Sequence, residues 1–133
     1  MSYQVSTQDD GHILILKLNE DFDIAGEFGP SFAECFEKLE AGPDGVVFIS
    51  DARELKLKSF NDLLQGGNLA RSPDANRVNK HPKVRKTYTV TNSAGIALAA
   101  RGLNSASFGF VELSVFGSLE EAVTAARAAL QGK

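Results

Sequence analysis

Tryptophan is absent from this sequence of 133 residues, cysteine occurs once and histidine twice. Each scarcity removes a class of explanation. A lone cysteine, Cys35, cannot form an internal disulfide, so burial rather than cross-linking must hold the fold, as suits a reducing cytoplasm. The longest uninterrupted apolar stretches, 13–16 and 96–100, fall far short of the roughly 20 residues that cross a bilayer. The opening Met1-Ser2-Tyr3-Gln4-Val5 has neither the basic start nor the apolar core of a secretory signal, and a cytoplasmic protein is expected. His12 and His81 have no Cys, His or carboxylate partner at ligand spacing, so neither a metal nor another cofactor is expected. The acidic run Glu20, Asp21, Asp23 lacks the glycine and distal glutamate of a calcium loop.

What is present suffices for one self-contained core. At 43% hydrophobic residues, a chain of 133 is read as a single domain, 1–133, that buries roughly two thirds of its unfolded surface. Nine phenylalanines supply most of the aromatic packing. The net charge of -3 is unevenly spread, since residues 1–54 carry twelve acidic and three basic side chains and the remainder five and eleven. The cations gather between Lys56 and Lys86. Arg71, Arg77, Lys80, Lys83, Arg85 and Lys86 form a candidate basic docking patch, which could meet nucleic acid, an anionic membrane surface or an acidic partner protein. Nucleic acid is a poor match, because few aromatics accompany the patch and no recognition motif does.

Periodicity assigns the elements. A β-like run at 2–7, the turn signal Asp9-Asp10-Gly11 and a second run at 12–18 predict an antiparallel hairpin. The near-continuous apolar character of 13–18 marks that second strand as covered on both faces. Phe32, Cys35, Phe36 and Leu39 recur at helical spacing behind Gly29-Pro30-Ser31, with Ser31 and Glu34 placed as a capping box and Gly42-Pro43 as the stop. Residues 45–50 read as a buried parallel strand ending at Asp51. A weak helix starts at Ser59, and Ser72-Pro73 interrupts or restarts it. Strands at 85–91 and 110–116 are each followed by a polar cap and an amphipathic helix, at 96–103 and 119–130. Ser118 and Glu121 form a capping box for the last. Strands joined by crossover helices lie parallel in one sheet, so the fold class is α/β.

The resulting order, ββαβαβαβα, resembles the STAS fold of anti-sigma-factor antagonists, and more narrowly its SpoIIAA-like branch. The ending Val115-Phe116-Gly117-Ser118-Leu119-Glu120-Glu121-Ala122 and the apolar strand closing on Asp51 carry that likeness. It implies a mixed, mostly parallel sheet packed by helices, and a regulatory or protein-interaction role without catalysis. One segment departs from the pattern. Phosphorylated members have Asp-Ser-Ser-Gly or Asp-Ser-Thr-Gly after the strand, whereas this chain has Lys58-Ser59-Phe60-Asn61-Asp62. Ser59 falls one position early and the glycine is missing, so it is read as a helix cap rather than a phosphate acceptor.

No nucleophile elbow, phosphate loop or dinucleotide fingerprint occurs, and no catalytic residue is assigned. Cys35 lies on the apolar stripe and is read as core. Geometry supplies the remaining candidates. Asp51 and Arg53 follow one parallel strand and Asn92 and Ser93 the next, so all four are expected at the carboxyl end of the sheet, with Ser59 nearby, as an anion or partner site. Two functions are open: an interaction module that docks on a partner protein or on itself as a homodimer, and a carrier of a small lipid-like ligand. The likeness of the SpoIIAA-like branch to CRAL-TRIO lipid carriers suggests the second. Phe60, Leu63, Leu64 and Leu69 would line that carrier's pocket.

Overall fold

The computed structural model describes residues 2–55, 72–93 and 113–132. Strands β1 (Tyr3–Gln8) and β2 (Ile13–Leu18) pair antiparallel, and β2, β3 (Val46–Asp51), β4 (Val84–Val90) and β5 (Leu113–Phe116) run parallel, in the spatial order 1-2-3-4-5. Helices α1 (Ile24–Ala41) and α2 (Pro73–Asn79) cover one face and α3 (Leu119–Gly132) the other. The α/β class and the mixed, mostly parallel sheet expected from the sequence are therefore present. Residues 59–71 and 94–112, where two further helices were expected, lie outside the described residues, as do Ser59, Phe60, Leu63, Leu64, Leu69 and Arg71.

The two-sided cover explains the unbroken apolar runs. Side chains alternate across a strand, so Leu14, Leu16, Val46 and Phe48 pack toward α1 and α2, while Ile13, Ile15, Val47 and Ile49 pack toward α3. All eight are buried, each worth roughly 1.5–3 kcal/mol of transfer free energy. Small residues let α3 sit close. Ala122 and Ala126 are both 0% exposed against Tyr88 and Val90.

Local chemistry sets the boundaries. The β1–β2 turn holds Asp9, Asp10 and Gly11 at φ of 51°, 57° and 91°, a left-handed run that aspartate tolerates and glycine favours. Gly11 also packs against Pro43, since a Cβ there would lie 2.9 Å from the proline Cδ. At α3 the N-cap half of the expected capping box forms, Glu121 N–H donating to Ser118 Oγ at 3.1 Å, while Glu121 Oε1 accepts from the Ser118 hydroxyl at 3.0 Å rather than from its backbone N–H. At α2, Ser72 Oγ accepts from Ala75 N–H at 3.4 Å and Pro73 takes the first helical position, where its missing N–H has no cost.

Helix α1 differs from the expectation. It begins at Ile24, not at Ser31, and carries Pro30 inside it. Ser31 caps nothing, because its hydroxyl donates to Phe28 O at 2.8 Å within the helix. The apolar stripe of Phe32, Cys35 and Leu39 continues upstream through Phe28 and Ile24, and Phe28 stacks on Phe32 with centroids 4.5 Å apart. That burial offsets the backbone bond forfeited at Pro30. The helix start is held by Glu27, which accepts from Asp23 N–H at 2.7 Å and from the Ser2 hydroxyl. The bond from Ser2, then that from Asp23, holds the Glu27 carboxyl below its ordinary pKa.

Candidate functional site

The carboxyl end of the sheet gathers Asp51, Arg53, Asn92 and Ser93, because β3 and β4 are neighbours with Asp51 in register with Val90. The first two bond to each other. Asp51 is 1% exposed, and Arg53 folds back over it. The Arg53 Nε donates to Oδ1 and Nη2 to Oδ2, both at 2.9 Å, and the Arg53 N–H reaches Oδ1 at 3.2 Å. This two-pronged bond raises the Arg53 pKa further above its already high ordinary value. Both carboxylate oxygens are occupied, and the cation expected to receive an anion is already neutralised. Beside it, Lys17 and Glu54 pair at 2.9 Å. Thr91 Oγ1 accepts the Ser93 N–H at 3.0 Å, and Thr91 N–H continues the β4–β5 ladder to Phe116 O at 2.9 Å. Asn92 and Ser93 are exposed at this rim.

The basic patch divides in two. Arg77, Lys80, Arg85 and Lys86 are exposed. Lys83 is not available to a partner, because its Nζ donates to three carbonyls at the end of α1: Leu39 at 3.0 Å, Glu40 at 3.2 Å and Gly42 at 2.9 Å. An ammonium has three donors, and these reach carbonyls at a helix end, where intrahelical N–H partners run out, while meeting the negative end of its dipole. Beside Lys83, the buried His81 completes the clasp. Its Nδ1 accepts the Lys83 N–H at 3.1 Å, so its Nε2 carries the proton and donates to Glu40 Oε2 at 2.6 Å. Phe36 packs edge-on against its ring.

At the opposite, amino end of the sheet the described residues leave a cleft. It measures about 300 Å³ and lies between the β1–β2 turn, the starts of β3 and β4 and the end of α3, lined among others by Asp9, His12, Asp44, Arg85, Arg127 and Leu130. His12 Nδ1–H donates to Gly45 O at 2.9 Å, which leaves Nε2 as the acceptor of the neutral ring. Arg127 pairs with Asp9 through Nε at 3.0 Å and Nη2 at 3.4 Å. Arg85 reaches the cleft through a register shift. Val46 pairs with Val84 but Val47 pairs with Lys86, so Arg85 is an extra residue bulged out of β4. Gly45, at φ +75°, lies beneath it, and a Cβ there would stand 3.4 Å from Arg85 Cδ. Among the described residues neither Arg85 nor Asp44 forms an ion pair or side-chain hydrogen bond.

Burial pushes the Cys35 thiol up to about 12, with Glu34 adding to the effect, which is the opposite of what a nucleophile needs. Among the described residues no three His, Cys, Asp or Glu side chains converge on a metal position, and no helix is long and apolar enough to cross a membrane. No family model and no curated protein matches the sequence.

Proposed function

We propose that this chain is a non-enzymatic regulatory or interaction module of STAS type, and that it docks by strand addition at β1, with a homodimer as its basic form. The observation that carries this reading is the edge of the sheet. β1 has no neighbour on its outer side among the described residues, and Tyr3–Gln8 contains no charged residue and no proline, the devices by which sheets usually protect an edge. The register tells which backbone groups are available. Asn19 N–H donates to Ser2 O while Tyr3 lies opposite Leu18, so Gln4, Ser6 and Gln8 bond to β2, and Tyr3, Val5 and Thr7 turn their N–H and C=O groups outward.

Antiparallel pairing of two copies about Val5 sets Tyr3 against Thr7 of the second copy and uses all of these outward groups. It also keeps the acidic turns at Asp9 and Asp10 at opposite corners, without like-charge contact. The exposed Arg77, Lys80 and Lys86 provide a separate, salt-sensitive surface for an acidic partner. Sedimentation of the full chain tests the reading. A dimer is expected, and Thr7→Pro should yield a folded monomer, since proline is tolerated where an edge N–H points to solvent but blocks a further strand. A wild-type monomer at every concentration, or a dimer indifferent to Thr7→Pro, would contradict strand addition.

A further inference from the structure

Bulges are rare in parallel ladders, and where one occurs it re-aims a side chain or ends a pairing. In this sheet the residue set out of register is Arg85, which the bulge delivers to the cleft at the amino end. We propose that this cleft binds a compact zwitterion of the α-amino-acid type, its carboxylate on Arg85 and its ammonium facing Asp44. The site is separate from the β1 edge, and the inference holds for monomer and dimer alike.

The charge balance of the cleft selects the ligand class. Arg127 and Asp9 neutralise each other, leaving Arg85 and Asp44 as lining charges of opposite sign that do not pair. A simple anion would gain Arg85 but meet Asp44, and a simple cation the reverse. A molecule carrying both charges can satisfy both. The end of α3 reinforces the polarity, since Gln131 lines the cleft and, among the described residues, the last turn of the helix has no basic side chain. Arg85 offers a planar fork of donors, the geometry that receives a carboxylate through two bonds. His12 Nε2, left as an acceptor by the bond to Gly45, gives a second partner for the ammonium. Leu130 gives the cleft an apolar wall, and about 300 Å³ lies at the lower limit of small-ligand pockets, which favours a short aliphatic side chain.

The test is titration of the full chain with L-valine, followed by backbone and arginine Nε resonances, with isobutyrate, isopropylammonium and inorganic phosphate as single-sign controls. L-valine should move the signals of Gly45, Arg85 and Arg127. A ligand of this size should bind with a dissociation constant on the order of 1 mM. The single-sign controls should bind at least about tenfold more weakly, as the loss of one charge-assisted contact implies. Arg85→Gln and Asp44→Asn should each remove the valine response while leaving the melting temperature near that of the wild type. Absence of any L-valine shift, isobutyrate or phosphate binding as tightly as L-valine, or an undiminished response in Arg85→Gln would overturn the proposal.

Discussion

Arg53 and Arg85 stand at opposite ends of neighbouring parallel strands, and the sheet treats them in opposite ways. Arg53 closes on the buried Asp51 through two side-chain bonds of 2.9 Å, whereas Arg85 is set out of register and has no partner among the described residues. Among the described residues at the carboxyl end, where open α/β sheets usually keep their ligands, Asp51 and Arg53 are tied to each other. The amino end holds the cleft. The difference teaches that a cation at a strand end is informative only once its partners are known: a paired arginine is part of the scaffold, and an unpaired one can recognise something else.

Substitutions can break this contrast, and their effects should fall in a definite order. Arg53→Ala should cost the most, about 3 kcal/mol in urea unfolding, because it leaves the Asp51 carboxylate buried without its counter-charge. A loss below about 0.5 kcal/mol, the size expected of an ordinary surface change, would mean that Asp51 does not depend on this pair. Lys83→Met should follow at about 2 kcal/mol, as three carbonyls at the end of α1 lose a charged donor. The neighbouring Lys80→Met should stay within about 0.5 kcal/mol, and equal losses for the two lysines would contradict the clasp. Ser118→Ala should cost about 1 kcal/mol by thermal or urea melting, the usual price of an N-cap. Arg85→Ala should change stability least, by less than about 0.5 kcal/mol, since no intramolecular bond is lost. A large loss there would make Arg85 part of the scaffold and erase the contrast.

Much of the architecture was legible because burial on two faces writes itself as apolar runs. β2 and β3 stand out for that reason, and the Ser118 cap and the Ser72-Pro73 start declare themselves through capping chemistry. The start of α1 was not legible. Gly29 and Pro30 read as the lead-in to the helix, and only the burial of Ile24 and the packing of Phe28 on the core show why the helix runs through them.

The site was legible in position more than in role. Asp51, Arg53, Asn92 and Ser93 do lie at one end, but that Arg53 would spend itself on a residue two positions away depends on side-chain direction, which spacing does not reveal. Lys83 looked like any other cation of a basic stretch. Its three acceptors are more than forty residues away in the chain. The bulge at Arg85 leaves no signature at all, because a one-residue slip in register is a property of two strands together.

The contrast between the two arginines is tested most directly by the exchange of their Nε protons with water, read by NMR on the free protein. The Arg53 proton, bonded to Asp51, should exchange on the order of tenfold or more slowly than that of Arg85. Equal rates, or a slower Arg85, would contradict an Arg53 held by Asp51 and an Arg85 without a partner.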